Sequence, residues 1–169
     1  MEQSASGVNL SFVPLEKSPR IWASMATGLM PDEHGIGGFL KDKTAGHYEG
    51  LSSAADWRSP AVWDIGGAAG LQSCVIGWWV TYPARAIEGV MVSDHYTYTD
   101  QGSRNPEGWV QPANLVDALQ PLSVGYDEVP LELLRILVPG APDELLLDLD
   151  DERMRELRII LAGDLTYLN

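Results

Sequence analysis

Residues 72–80 read QSCVIGWWV, an almost unbroken apolar run. A strand of that composition can leave neither face in water, so it requires packed layers on both sides and belongs inside a mostly parallel sheet. It is the best candidate for a central strand. Ahead of it, Ser59 and Pro60 start a short predicted helix, with Val62, Trp63 and Ile65 leading into Gly66, Gly67 and Gly70. A further strand over residues 89–93 leads into Asp94, His95 and Tyr96, and the polar stretch from there to Gly108 reads as a loop. This order suggests a β-α-β unit in an α/β fold, layered α/β/α around a central, mostly parallel sheet. Ligands of such folds lie beyond the carboxyl ends of the strands, here residues 79–83.

Upstream, residues 8–13 alternate weakly and predict a short strand ending at Pro14. Residues 18–39 then read SPRIWASMATGLMPDEHGIGGF. Ser18 suits an N-cap and Pro19 the first helical position, while Ile21, Trp22, Met25 and Ala26 recur at helical spacing until Gly28 and Pro31. Unpaired N–H groups and the positive end of the macrodipole converge on such a hydroxyl, favouring a bound phosphate and the alkoxide form of Ser18. A plain helix cap explains the same residues. From residue 35 to residue 55 glycines and charges dominate, including Lys41, Asp42 and Lys43, and predict a surface loop.

Beyond Pro112 the pattern turns helical, with Leu115, Val116 and Leu119 on one face. Residues 131–138 form an apolar helix introduced by Asp127 and Pro130 and broken by Pro139, Gly140 and Pro142. A last helix from about Asp150 sets Met154, Leu157, Leu161, Leu165 and Leu168 in one stripe, with Asp150, Asp151 and Glu152 at its positive end.

Charge and cysteine usage narrow the function classes. The 169 residues carry 11 Lys and Arg against 24 Asp and Glu, a net −13, which argues against a general nucleic-acid backbone binder. The acidity is concentrated in residues 107–169, with 13 acidic and four basic side chains, most simply a solvated helix face. Cys74 is the one cysteine, so no intrachain disulfide or cysteine-rich metal site can form. Residues 1–7 lack the pattern of an export signal and no apolar run reaches membrane length, so the expectation is a soluble chain, cytoplasmic by default.

The segment from Ser18 to Phe39, with Trp63-Asp64-Ile65 and VIGWWVTYPA at residues 75–84, resembles the type I phosphodiesterase and nucleotide pyrophosphatase family of the alkaline phosphatase superfamily. In that family a Ser or Thr before a proline is followed by an aromatic residue, an A-T-G turn and a P-x-x-H-G-I stretch. Here these are Ser18-Pro19, Trp22, residues 26–28 and residues 31–36, in order and without a gap. The resemblance implies an alkaline-phosphatase-like domain spanning residues 1–169, incomplete in this chain, with a nucleophile-bearing core at 8–96 and an acidic helical part at 107–169.

By the same resemblance Ser18 is the catalytic nucleophile and a metal contact, acting with two divalent ions, usually zinc, about 4 Å apart that clamp a phosphate-ester small molecule. Family ligands come from an Asp ahead of the nucleophile and from D-x-x-x-H and D-H-G motifs after it. This sequence shows neither set, so the resemblance implies a chain that does not bind both ions and is inactive alone.

Lys17 is a candidate to hold phosphate oxygens, against the bland reading of a solvated charge. At Phe39, nucleotide-cleaving relatives place an Asn that helps bind phosphate, which weakens the case for nucleotide pyrophosphatase activity in particular. Trp79 and Tyr82, with Trp78, are placed to stack on a base or sugar, while core packing is the simpler reading of Trp78 and Trp79. His34 reads as structural, and His47, Asp94 and His95 lack metal-ligand spacing. A sulfatase would need a C-x-P-x-R motif, which is missing. The competing class is a non-catalytic binding or scaffold module using the aromatic strand end from Trp78 to Tyr82. A partial domain would leave sheet edges uncovered and self-associate.

Overall fold

The computed structural model describes residues 17–41, 43–44, 47–48, 50–97 and 107–168. The strand expected at residues 8–13 lies outside them. Three strands form the main sheet: β3 (Ser73–Trp78), β4 (Gly89–Ser93) and β5 (Val110–Gln111), in the order β3-β4-β5. β3 and β4 run parallel, with Cys74 opposite Val90 and Ile76 opposite Val92, and the register shifts between Ile76 and Trp78. β5, just past the stretch that reads as loop, pairs antiparallel with β4 through Val92 and Val110. A small antiparallel ladder, β1 (Lys43–Thr44) with β2 (His47–Tyr48), interrupts the long loop.

The central strand is β4, not β3. Met91, Val92 and Ser93 are buried, whereas β3 occupies an edge among the described residues, with Cys74 exposed and Ile76 half exposed. An apolar run measures a strand's preference for burial but not whether a neighbour supplies it. The β3-to-β4 crossover, residues 79–88, also contains no helix.

Helix α1 (Ser18–Thr27) lies over this sheet, followed by α2 (Pro31–His34) and α3 (Val62–Ala68). Its N-cap is Lys17, in extended conformation, so Ser18 is the first helical residue and Pro19 the second, one position later than their spacing suggests. Gly28 ends α1 in the left-handed region at φ 70°, its N–H donating to the Ser24 carbonyl. Thr27 Oγ1 donates back to the Ala23 carbonyl and accepts Leu29 N–H, which explains the A-T-G turn. α3 begins where Asp64 accepts the Ala61 N–H, and the same carboxylate pairs with Arg85 of the crossover at 2.5 Å.

Ala26, Ala61, Trp63, Val75, Ala84 and Met91 fill the core between these helices and the sheet. The stretch after α2 is not all surface: Ile36 is fully buried against Ala23 and Val80.

A second apolar cluster belongs to the acidic part. It joins α5 (Leu131–Leu137), α6 (Asp143–Leu146) and α7 (Glu152–Leu168) through Leu134, Leu146, Met154 and Ala162, with Leu157, Leu161 and Leu165 packed against them. Leu168, expected on that stripe, is 82% exposed. α4 (Val116–Leu119) sits between short 3-10 turns at Ala113–Leu115 and Gln120–Leu122. The molecule is thus a mixed α/β fold with a small, mostly parallel sheet, consistent with part of an alkaline-phosphatase-like domain. No helix among the described residues is long and apolar enough to cross a membrane.

Candidate functional site

Four of the residues singled out by sequence lie along one path. Lys17 and Ser18 are exposed at the start of α1. The Lys17 side chain runs over Gly38, where even a Cβ atom would meet Lys17 Cδ at 3.0 Å. The next residue, Phe39, sets its ring edge-on to Trp79, with centroids 5.1 Å apart. Trp79 in turn packs on the cluster of Ala23, Ile36 and Val80. A ridge therefore leads from the helix start across the loop to the carboxyl end of β3, where a ligand of such a sheet is expected.

Trp78 and Tyr82 do not join it. Trp78 faces the core, edge-on to Trp22 at 4.7 Å and to Trp63 at 5.6 Å. Tyr82 stacks flat on His95, with centroids 4.2 Å apart and planes 6° from parallel. The aromatic strand end is thus split three ways, which removes Trp78 from any stacking platform.

Asp94, weighed in sequence only as a metal candidate, organises the turn after β3. Its carboxylate accepts the backbone N–H groups of Val80, Thr81 and Tyr82 at 2.9, 3.1 and 3.0 Å. Thr81 Oγ1 donates to the Trp78 carbonyl at 2.6 Å. Successive N–H groups of this kind make an anion-binding nest, and here the occupant is the protein's own carboxylate. No local spacing announces this, because the donors follow β3 and the acceptor follows β4.

The other carboxylates and imidazoles near the ridge are committed as well. Asp56 pairs with Lys41 at 3.0 Å and accepts the Ser53 hydroxyl and N–H. Burial alone would raise its carboxyl, but Lys41 and Ser53 outweigh that and hold it below the ordinary value. Burial acts likewise on Asp64, where Arg85 and the Ala61 N–H prevail. His34 is fully buried, bonded through Nε2 to Ser24 Oγ at 2.9 Å and accepting Ile36 N–H on Nδ1 at 3.1 Å.

Among the described residues no three His, Cys, Asp or Glu side chains gather closely enough to hold a metal ion. The described carboxylates Asp56, Asp64 and Asp94 are each spent on backbone N–H groups or a basic partner and are not gathered into a two-metal centre. The His47 side chain lies outside the described residues.

Residues 3–133 match the family model for type I phosphodiesterase / nucleotide pyrophosphatase, more than three quarters of the chain. The match ends inside α5, so α6 and α7 lie beyond it. No curated protein and no solved structure matches the chain.

Proposed function

Since the chain belongs to the type I phosphodiesterase and nucleotide pyrophosphatase family, we propose that it binds a small phosphate ester at the start of α1, with Ser18 in the position of the attacking hydroxyl. The observation that carries this reading is the exposed Ser18 opening a ten-residue helix beside the Lys17 side chain. Pro19 has no N–H and those of Arg20 and Ile21 donate to the Lys17 carbonyl, so the Ser18 N–H and the positive end of the macrodipole meet a phosphate there, and Lys17 adds a full charge. Phe39 and Trp79 wall one side and offer a ring edge to the ester's organic group. Trp78 and Tyr82, which the binding-module alternative also needs, are spent elsewhere.

The family is metal-dependent, and a serine hydroxyl is a poor nucleophile until something activates it. Among the described residues, His34, Asp56, Asp64 and Asp94 are held by other partners. The chain alone therefore binds its ester without turning it over.

A chromogenic phosphodiester incubated with the chain and added zinc tests this, and the expected result is no turnover above buffer. Robust turnover abolished by Ser18→Ala would overturn the inactivity and support the nucleophile. Titration with inorganic phosphate tests binding, with Lys17→Ala expected to weaken it several-fold. The β3 edge, unpaired among the described residues, supports self-association, and sedimentation showing a stable monomer would count against that.

A further inference from the structure

His34 stands at the end of α2 with every polar ring atom engaged. Because Nδ1 accepts the Ile36 N–H, the neutral ring carries its proton on Nε2 and donates it to Ser24 Oγ of α1. Its backbone carbonyl accepts Arg58 N–H at 3.0 Å. The imidazole thus ties the middle of α1 to the first residues of the loop that follows α2. That loop carries the ridge: Ile36 packs against Ala23 and Val80, Gly38 lies under Lys17, and Phe39 meets Trp79.

We propose that His34 is a pH-sensitive latch for residues 35–39. Protonation at Nδ1 turns the acceptor of the Ile36 N–H into a donor, sets two N–H groups against each other and releases the loop that seats Phe39 and backs Lys17. The charged groups around the ring are mixed. Arg20 on α1 opposes a second positive charge, Asp32 and Glu33 on α2 favour it, and across the loop Asp56 and Arg58 flank Gly35, Asp56 being paired with Lys41. Burial first and Arg20 second prevail over the two carboxylates and hold the imidazole below its ordinary 6.5. The latch is therefore shut at neutral pH and opens on acidification. Its effect on ligand binding rests on the phosphate reading above, whereas the latch itself does not.

Amide hydrogen exchange on the whole chain, from about pH 8 to about pH 5 and corrected for intrinsic exchange, tests it. Opening at residues 36–39 is expected to rise about tenfold per pH unit between the ordinary imidazole value and the depressed one of His34. Amides of α7 should show no matching rise. His34→Gln can keep both hydrogen bonds without titrating and should abolish the pH dependence. Loop exchange that is flat with pH in the wild type, or that rises equally in His34→Gln, overturns the latch. Should His34→Gln fail to fold, the nitrogen resonances of the wild-type imidazole decide: they should titrate together with the loop amides, and a ring that titrates while those amides stay unchanged overturns it. A loop that opens while inorganic phosphate binding stays constant keeps the latch and removes its coupling to the ligand, whereas a loop that opens in a chain with no phosphate binding at any pH keeps the latch and removes the phosphate reading.

Discussion

The Val80 N–H donates to Asp94 Oδ2 at 2.9 Å while Val80 itself sits at φ 66°, the one described residue other than glycine in the left-handed region. For a β-branched side chain that conformation costs about 1–3 kcal/mol, so something must hold it. The Asp94 carboxylate does, by gathering three consecutive N–H groups. Asp94→Ala leaves those donors unpaired next to a strained turn and is expected to cost about 3 kcal/mol in urea unfolding. Asp94→Asn keeps one acceptor oxygen and should cost less, about 1 kcal/mol. If the turn matters for the ridge, both variants also change the fluorescence of Trp79.

Arg158 of α7 is only 2% exposed and has no acidic partner among the described residues. Its guanidinium donates instead to the carbonyls of Leu146, at 2.9 Å, and Tyr126, at 3.1 Å, joining α6 and the turn before α5 to α7. Removing it strands those buried acceptors, and Arg158→Ala should cost about 3–5 kcal/mol. The loss should be local. All six tryptophans lie between residues 22 and 109, so their emission reports mainly the sheet part, which α7 reaches only at its far end through Tyr167. Far-ultraviolet circular dichroism of Arg158→Ala is expected to fall at lower urea than the tryptophan signal shifts, where the wild type shows the two closer together.

Two pH windows follow from the depressed groups. His34 is lowered in the folded state by burial and Arg20, so its neutral form stabilises the fold fully above about 6.5, the unfolded value, and that contribution is lost as pH falls below it. Asp56 and Asp64 are lowered despite their burial, by Lys41 and Ser53 and by Arg85 and Ala61. Their stabilisation is full above the unfolded carboxylate range of about 4 and disappears below it. Thermal melting across pH should therefore show two descending steps, the upper missing in His34→Gln and the lower shallower in Asp64→Asn. The Arg135–Asp143 pair lies at the surface, where solvent screens it, and Asp143→Asn is expected to leave both steps nearly unchanged.

Elements set by local chemistry were legible in the sequence, and those set by distant partners were not. Ser18-Pro19, the turn at Gly28 and the Pro130 start of α5 announce themselves because caps and turns involve residues a few positions apart. β4 is where its apolar run places it, yet β3 changes from central to edge strand because the neighbour decides, not the strand. At the site, Phe39 meets Trp79 and Lys17 runs over the neighbouring Gly38, while Tyr82 is captured by His95 and Trp78 by the core. Asp94 and Arg158 gave no sequence signal at all, since their partners lie 12 to 32 residues away.

Two glycines bracket α2, and they separate backbone strain from crowding. Gly28 and Gly35 both lie in the left-handed region, at φ 70° and 86°. Nothing stands within 4 Å of a Cβ built on Gly28, so Gly28→Ala pays only the conformational penalty, about 1 kcal/mol. A Cβ on Gly35 would sit 2.7 Å from the Asp56 carbonyl oxygen and 2.9 Å from Arg58 Cγ. The Asp56 side of that contact is backbone, held in place by Lys41 and Ser53 through its own side chain, so it cannot swing away. Gly35→Ala must therefore push the loop off residues 56–58, lengthening the bond from Arg58 N–H to the His34 carbonyl and tilting the ring that anchors Ile36. Its cost should exceed that of Gly28→Ala by about 2 kcal/mol or more in urea unfolding. Because the displaced loop carries Phe39, Gly35→Ala should also alter Trp79 emission in the folded state, which Gly28→Ala should leave as it is; equal effects of the two substitutions would place the crowding elsewhere.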